Sequence, residues 1–312
     1  MNSKLNKVII ATGGTGGHVF PAYSLAKHLI NKKINVQLTS DKRGMKYLSN
    51  YHDLNITQIR SSTISKKNIF DFFISNLIIL YSIFRSIIFL IFNRPDLVFG
   101  MGGYSSFPIC IGAKILRIPF IIYENNLHVG KANKFLVPFA NKVFVSHLSL
   151  EGVSNKYKYK LRKIGNIIRK EILNFNVVNN KDFSDKRLKI LILGGSQAAK
   201  IFAEELPEIF KKCINAKIPL KIYQQCLPDQ SKFLLNIYKK LNLDCEIFNF
   251  NNDITKYFSK INLAITRSGS SMMAELINVQ IPFISVPLPT SADNHQLKNA
   301  IYYEKNQYSY LI

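Results

Sequence analysis

Cysteine is scarce in this chain, whose 312 residues include only four. They are Cys110, Cys213, Cys226 and Cys245. No Cys-x-x-Cys pair occurs, and the wide spacing gives no obvious set of metal ligands. We therefore expect reduced and mostly buried cysteines, as in a cytoplasmic protein. The first seven residues lead directly into an apolar run, so no signal peptide is expected.

Acidic residues are also few. The chain has 19 Asp and Glu against 42 Lys and Arg, a formal net charge of +23. Such an excess attracts an anionic partner, which can be nucleic acid, an acidic membrane leaflet or a phosphorylated substrate. Abundant Lys and Asn from an A/T-rich coding sequence would give the same excess without any partner. No arginine-rich tail or basic helix block stands out, so we expect no nucleic-acid partner.

Two common ligand motifs are absent. No Asp-x-Asp pair occurs, so a Mg²⁺ or Mn²⁺ clamp on a diphosphate has no obvious ligands, and we expect neither a metal nor a cofactor. Helix ends, Ser196 and a cation such as Arg169 would then have to stabilise a leaving phosphate. Loss of one such donor typically costs about 3 kcal/mol of transition-state stabilisation. No clean Gly-x-Gly-x-x-Gly occurs either, which argues against a dinucleotide-dependent oxidoreductase, although Gly-rich turns also suit NAD.

Apolar strand-like runs alternate with helix-like runs along the whole chain, which predicts parallel sheets covered by helices on both faces. The predicted strands of a first series are Val8–Thr12, Val36–Ser40, Ile56–Ile59, Leu97–Gly100, Phe120–Glu124 and Lys142–Ser146. Those of a second series are Lys189–Gly195, Leu220–Gln225, Cys245–Phe250, Leu263–Thr266 and Pro282–Val286. Two series predict an α/β protein with two doubly wound, Rossmann-like domains, residues 1–165 and 166–312. A ligand is expected in a cleft between them, at the carboxyl ends of the strands.

The most informative segment is Thr12-Gly13-Gly14-Thr15-Gly16-Gly17-His18, which follows the apolar run Val8–Ala11. Its glycines allow a sharp turn and let a ligand come close to backbone N–H groups. The positive end of the following helix favours an anion at this place. His18, at the entrance of that helix, adds a side chain that can move protons near neutral pH.

Three later segments repeat the order of strand, Gly-rich turn and helix. They are Gly100–Ser106, Leu193–Ala199 and Arg267–Glu275. In the first, Tyr104 beside three glycines is expected to face a ligand. In the second, Ser196 can cap the helix or donate to a phosphate oxygen, and the Gly-Gly pair favours the phosphate. In the third, Glu275 is placed to accept from a ribose diol, or simply stabilises its helix through the dipole.

Polar side chains also occur where two other segments end. Glu124, Asn125 and Asn126 follow a predicted strand, where doubly wound proteins bind ligands. A single Glu at this place could instead cap the next helix. Further along, Asp293–Gln296 offers amide and imidazole groups suited to sugar hydroxyls.

The segment Ile69–Phe92 approaches the length of a membrane span, but Asp71, Asn76 and Arg85 interrupt it. One interpretation is one or two buried helices packed on a sheet. The other is a helix whose outer face touches the membrane interface, with basic flanks for anionic headgroups. We favour a peripheral contact with an anionic membrane surface over a true span.

Together these segments resemble the MurG family of N-acetylglucosamine transferases, from Val8 to about Ala300. The resemblance rests on Gly13–Pro21, Gly100–Tyr104, Tyr123–Asn126, Gly165–Arg169, Gly194–Gln197, Arg267–Gly269 and His295–Ala300. The family implies a GT-B fold and an inverting, metal-independent transfer from UDP-N-acetylglucosamine to lipid I, which gives lipid II. Lipid I is undecaprenyl-pyrophosphoryl-N-acetylmuramoyl pentapeptide. With the basic charge, this implies a peripheral protein on the cytoplasmic side of the inner membrane.

The resemblance also implies roles for individual residues. His18, Tyr104 and Glu124 would face the acceptor, and either His18 or Glu124 would be the general base. The residues implied in binding UDP-N-acetylglucosamine are Thr15, Gly16, Gly17, Asn126, Arg169, Ser196, Asn251, Ser270, Glu275 and Gln296. Of these, Ser196 would hold a phosphate and Glu275 the ribose. Asn251 would lie against the uracil, and Gln296 would contact the hexose hydroxyls.

The sequence departs from the family pattern at several places. Ala198 replaces the glycine usual after Ser-Gln, and Ile167 replaces a proline. The family's closing helices are not found before Ile312. The nearest alternative function is another UDP-sugar GT-B transferase with a glycolipid acceptor. The oxidoreductase and a basic nucleic-acid-binding module follow, and steep salt-dependent DNA binding would indicate the latter.

Overall fold

The structure is a computed structural model that describes residues 5–49, 51, 53–62, 68–175, 185–249 and 253–312, with the backbone alone at residues 69, 195–199 and 292. The chain divides into two compact units, Met1–Arg169 (unit 1) and Lys170–Ile312 (unit 2). Each unit is built around one parallel sheet. The predicted α/β class with two doubly wound sheets is confirmed.

The sheet of unit 1 has the strand order β3-β2-β1-β4-β5-β6-β7. The strands are β1 (Lys7–Ala11), β2 (Asn35–Ser40), β3 (Asn55–Gln58), β4 (Leu97–Gly100), β5 (Phe120–Glu124), β6 (Lys142–Val145) and β7 (Leu161–Lys163). The helices are α1 (Gly16–Asn31), α2 (Lys42–Leu48), α3 (Ile69–Asn93), α4 (Gly103–Ile115) and α5 (Lys131–Leu136), with a 3₁₀ segment at Asn155–Lys160. The central strands are apolar and buried because a core packs against each face of the sheet.

The sheet of unit 2 has the strand order β10-β9-β8-β11-β12-β13. The strands are β8 (Leu188–Leu193), β9 (Leu220–Gln225), β10 (Asp244–Phe248), β11 (Leu263–Thr266), β12 (Phe283–Ser285) and β13 (Ser309–Leu311). The helices are α6 (Lys170–Leu173), α7 (Gly195–Asn215), α8 (Ser231–Lys240), α9 (Thr255–Phe258), α10 (Ser270–Asn278) and α11 (His295–Lys305), with 3₁₀ segments at Pro228–Gln230 and Ala292–Asn294. A core that includes Ile192, Phe202 and Phe210 joins the sheet to its helices.

Three features differ from the sequence prediction. The edge strands β7 and β13 were not predicted, because each has three residues and little apolar pattern. The Gly-rich turn predicted in Leu193–Ala199 is shorter than expected, since α7 already begins at Gly195. Ala198 and Ala199 are strong helix formers, which favours this early start.

The longest described helix, α3, exposes large apolar side chains on its outer face, and its inner face buries three serines together with Leu90 of the core. The inner face carries Ser75, Ser82 and Ser86, whose hydroxyls donate to carbonyls of the same helix. The exposed large side chains are Phe70, Phe72, Phe73, Ile74, Leu77, Ile78, Leu80, Tyr81, Phe84, Ile91 and Phe92. The interpretation of this segment as buried helices is therefore wrong. By length and composition alone, Phe70–Asn93 is the one described stretch that could cross a membrane, and such a stretch is weak evidence for a span.

Candidate functional site

In unit 1 the strand order reverses between β1 and β4, and this is where doubly wound sheets bind ligands. The two strands pair in parallel up to Ala11 opposite Gly100. The Met101 N–H then donates to the Ala11 carbonyl at 2.8 Å. The two Gly-rich segments that follow these strands therefore lie side by side at the carboxyl edge of the sheet.

The His18 ring lies against the second of these segments. Gly102 and Gly103 have φ angles of +87° and +73°, which favour glycine. A Cβ atom on Gly102 would lie 3.1 Å from His18 Cε1. Any larger residue at this position would push the imidazole away. The Thr12 hydroxyl donates to the His18 carbonyl at 2.9 Å, which fixes the start of α1.

The first turn of α1 contains three of the predicted donor-binding residues. Thr15 is the exposed N-cap of α1 and makes no side-chain bond to the helix. Gly16 and Gly17 follow, and the Gly17 carbonyl accepts from Asn125 Nδ2 at 3.2 Å. No acidic residue lies in this first turn, so its positive end is not neutralised locally.

Glu124 is 3% exposed, and four N–H groups donate to its carboxylate. Oε1 accepts from the backbone and the side chain of Asn126, at 3.1 and 3.0 Å. Oε2 accepts from Gly130 N–H at 3.0 Å and from Asn133 Nδ2 at 2.9 Å. Glu124 thereby fixes the predicted donor ligand Asn126 and the start of α5. Tyr104 is half-buried in the first turn of α4.

Arg169 is 6% exposed and packs within unit 1. Its guanidinium lies over the Phe20 ring of α1, 5.1 Å from the ring centroid, in a cation–π contact. The preceding segment is fixed by Tyr123, whose hydroxyl donates to the Gly165 carbonyl at 3.3 Å and accepts from Ile167 N–H at 3.1 Å. The family's proline would lack that N–H, so Ile167 adds a hydrogen bond at a position where the chain departs from the family pattern.

Asp41 is a site residue that sequence reasoning missed. It follows β2, is 3% exposed, and its Oδ1 accepts from the Gly14 and Gly44 N–H groups, both at 2.9 Å. Burial by itself would raise the pKa of Asp41, but these two bonds and the Arg43 guanidinium hold that pKa below its ordinary value. An Asp at a strand end, three residues before a glycine, is a helix-cap signal that could have found it.

In unit 2 the strand order reverses between β8 and β11. Ser196 lies in the first turn of α7, directly after β8, and its side chain is outside the described structure. Arg267 follows β11, is 8% exposed, and donates from Nη1 to the carbonyls of Val286 and Pro287 at 3.1 and 2.9 Å. Burial lowers the pKa of Arg267. The switch point of unit 2 thus holds a buried guanidinium.

The remaining predicted donor residues of unit 2 lie on its last two helices. Ser270 and Glu275 are buried on α10, whose first turn contains no acidic residue. Gln296 lies in the first turn of α11, and its Oε1 accepts from the Leu288 N–H at 2.9 Å, which orients the amide. Asn251 lies outside the described residues. In the described part of the chain, no three His, Cys, Asp or Glu side chains are grouped as metal ligands would be.

Comparisons with known proteins agree with this architecture. The profile of the glycosyltransferase family 28 N-terminal domain matches residues 8–145, and that of the C-terminal domain matches residues 189–312. The crystal structure of Acinetobacter baumannii MurG is similar with a TM-score of 0.76 and 26% identity. That match covers 99% of this chain and 86% of the other. The predicted GT-B fold class is confirmed.

Two curated relatives carry the same name, UDP-N-acetylglucosamine–N-acetylmuramyl-(pentapeptide) pyrophosphoryl-undecaprenol N-acetylglucosamine transferase. The protein of Pelagibacter ubique (strain HTCC1062) is 37% identical over 310 residues, 98% of this chain and 84% of the relative. The protein of Rickettsia bellii (strain RML369-C) is 35% identical over 300 residues, 95% of this chain and 83% of the relative. With both domain profiles matched and such relatives along nearly its whole length, the chain belongs to glycosyltransferase family 28, among the MurG N-acetylglucosamine transferases.

Proposed function

We propose that this chain transfers N-acetylglucosamine from UDP-N-acetylglucosamine to lipid I, with inversion and without a metal ion, and so forms lipid II. The observation that carries the proposal is the 37% identity, over 98% of the chain, to a protein named for this transfer. The oxidoreductase and nucleic-acid alternatives have no such support. Label transferred from UDP-N-acetylglucosamine to lipid I, and not from UDP-glucose, tests the proposal.

Unit 2 binds the nucleotide half of the donor in this account. Glu275 accepts from the ribose hydroxyls, Ser270 lies in the first turn of the same helix, and Asn251 faces the uracil. Gln296 donates to the hexose hydroxyls, since its amide oxygen is already bound to Leu288 N–H. Ser196 holds a phosphate at the start of α7, whose dipole favours negative charge.

Unit 1 binds the acceptor and carries the other residues predicted to bind the donor. The 4-hydroxyl of N-acetylmuramic acid attacks the anomeric carbon of N-acetylglucosamine, and the bond to the UDP oxygen breaks with inversion. His18 accepts the proton of the attacking hydroxyl. Tyr104 faces the acceptor. Thr15, Gly16 and Gly17 approach the donor sugar and diphosphate.

The leaving UDP is stabilised by fixed donors. Arg169, whose guanidinium is held over Phe20, and Asn126, held by Glu124, contribute side-chain donors. The start of α1 adds backbone N–H groups and the helix dipole. Donors fixed before the reaction need no reorganisation, and each is typically worth about 3 kcal/mol of transition-state stabilisation.

The membrane contact is made by the outer face of α3. Its large side chains are exposed in a stripe that includes Phe73, Leu77 and Phe84, whereas three serines are buried on its inner side beside Leu90. A soluble helix has the opposite polarity, so this face fits an apolar environment. The charge of +23 adds attraction to anionic headgroups. The protein therefore docks peripherally on the cytoplasmic leaflet, where lipid I presents its sugar.

Replacing Phe73 and Phe84 together by alanine is expected to lower the partition coefficient onto vesicles of anionic phospholipid about 100-fold or more. Each phenylalanine removed from the apolar interface loses roughly 1.5 kcal/mol or more. Cosedimentation of the purified protein with the vesicles measures the effect. Phe233→Ala is the control, because Phe233 is 54% exposed on α8 in unit 2. Unchanged binding of the double variant would contradict a contact through α3.

A further inference from the structure

Arg43 is a charged residue that lies beside the first Gly-rich segment and has no role in the transfer described above. Arg43 follows Asp41 by two residues, in the first turn of α2. Its Nε and Nη2 both donate to Asp41 Oδ2, at 3.0 and 2.9 Å. The Ser61 hydroxyl donates to the same oxygen at 3.1 Å. The carboxylate of Asp41 thus orients the guanidinium on one side and binds the Gly14 N–H on the other.

The free edge of this guanidinium is accessible. The Arg43 side chain is 57% exposed, whereas that of Asp41 is 5% exposed. A Cβ atom on Gly14 would lie 3.8 Å from Arg43 Nη2, so the guanidinium borders the turn itself. Nη1 has no hydrogen-bond partner among the described residues. An arginine held in this way presents its remaining N–H groups with little loss of conformational freedom on binding.

The same turn has a buried hydroxyl on its other side. Ser105, in the first turn of α4, is 6% exposed, and its Oγ has no hydrogen-bond partner among the described residues. A Cβ atom on Gly13 would lie 2.6 Å from Ser105 Oγ and 2.6 Å from Asp41 Oδ1. The turn is therefore enclosed by Asp41 and Ser105.

The charges around this turn favour an anion with more than one negative charge. The first turns of α1 and α4, both long helices, contain no acidic residue. The acidic side chain shown to contact the turn is Asp41, and its Oδ1 is already bound to the Gly14 and Gly44 N–H groups. The dipole of α1 is assigned to the donor, so the dipole of α4 and the Arg43 guanidinium remain for a second anionic ligand.

We propose that Arg43 binds the diphosphate of the lipid-linked acceptor, and that Asp41 is the positioning residue that aims Arg43 and fixes the Gly14 turn. This inference rests on the proposed function. The donor diphosphate has its own ligands in Ser196 and Arg169. The acceptor is the other substrate with a diphosphate, and it needs cationic donors in unit 1. Arginine matches phosphate oxygens with two parallel N–H bonds, which lysine cannot do.

Replacing Arg43 with glutamine is expected to raise the KM for a short-chain lipid I analogue about 10–100-fold, the usual effect of losing a charge-assisted hydrogen bond. The KM for UDP-N-acetylglucosamine stays within about 3-fold, because Arg43 is not among the residues assigned to the donor. Arg43→Lys keeps the charge but not the paired geometry, so its acceptor KM lies between those of the wild type and the glutamine variant. Asp41→Asn raises the same KM if the variant folds, which a thermal melt checks. The assay is run in detergent without phospholipid, so headgroups do not compete.

Lys42→Gln is the matched control, since it removes one exposed positive charge from the same turn of α2. An acceptor analogue with a monophosphate in place of the diphosphate provides a second arm. With this analogue, the acceptor KM of Arg43→Gln is expected to differ less from that of the wild type. A change in donor KM, an unchanged acceptor KM, or an equal effect of Lys42→Gln would each overturn the proposal. Absence of transfer by the wild-type chain would instead reject the proposed function, so the two failures are distinguishable.

Discussion

His18→Ala is expected to lower kcat for transfer to lipid I about 10²–10⁴-fold, the usual contribution of a general base. The imidazole lies at the start of α1, against Gly102 and Gly103, at the strand-order reversal of unit 1. Imidazole is the side chain whose ordinary pKa lies closest to neutral pH, so it can take the proton of the attacking hydroxyl. Steady-state kinetics with saturating acceptor measure kcat, and calorimetry measures donor affinity, which stays unchanged.

His28→Ala is the control for this experiment. His28 lies on the same helix, α1, but in its last turn and exposed to solvent. The His28→Ala variant also loses an imidazole and is expected to keep the kcat of the wild type. If the His18 variant turned over at the wild-type rate, the base would have to be another residue.

Glu124→Ala is expected to lower the free energy of unfolding by about 3–5 kcal/mol. Four N–H donors lose their acceptor, and a buried donor left unpaired costs about 1–3 kcal/mol, but three of these four bonds are only part-buried, so water replaces part of the loss. Two of these donors belong to Asn126, so the variant that still folds binds UDP-N-acetylglucosamine more weakly. Urea denaturation measures the stability, and calorimetry measures donor affinity. Glu171→Ala, at an exposed position on α6, is expected to change neither.

The variant Glu124→Gln separates the two roles open to this residue. A positioning carboxylate predicts a less stable protein whose kcat keeps the pH dependence of the wild type. If Glu124 is instead the general base, the Glu124→Gln variant keeps the stability of the wild type, and the pH profile of its kcat loses the acidic limb. Glu124 lies on the acceptor side in the family resemblance, but its four bonds support the positioning role. His18 then remains as the base.

Much of the fold follows from the sequence because buried parallel strands read as short apolar runs. The runs that contain β1 and β4 are predicted within one or two residues, and so are the turns after them. The edge strands β7 and β13 could not be predicted from apolar runs. They are three residues long, and only Leu161 of β7 and Ser309 of β13 are buried. Pairing to a neighbour, rather than an apolar pattern, defines them.

The candidate site was only partly predictable for a related reason. Gly-rich turns after strands mark where ligands bind, so His18, Tyr104 and Glu124 could be selected from the sequence. That Glu124 is saturated by four N–H groups depends on Gly130 and Asn133, which reach it only after folding. Asp41 lies 27 residues from the Gly14 that it binds. Contacts between residues so far apart in the sequence produce no periodic pattern from which they could be predicted.

The apolar face of α3 shows the limit of hydrophobicity alone. An apolar run of this length predicts either a buried helix or an exposed one in contact with lipid. The structure decides between these two possibilities, because it leaves the large apolar side chains exposed and buries Ser75, Ser82 and Ser86. Their spacing of seven and four residues puts them on one face, which the sequence did contain as a signal.

Transfer of labelled sugar by the wild-type chain tests the central claim most directly. The purified chain is incubated in detergent with EDTA, a lipid I analogue and either UDP-N-acetylglucosamine or UDP-glucose, both labelled in the sugar. The account predicts a labelled disaccharide lipid with the β-linkage of inversion, one UDP released per sugar transferred, and little product from UDP-glucose. UDP released without a lipid-linked product, equal use of UDP-glucose, or a retained α-linkage would contradict it.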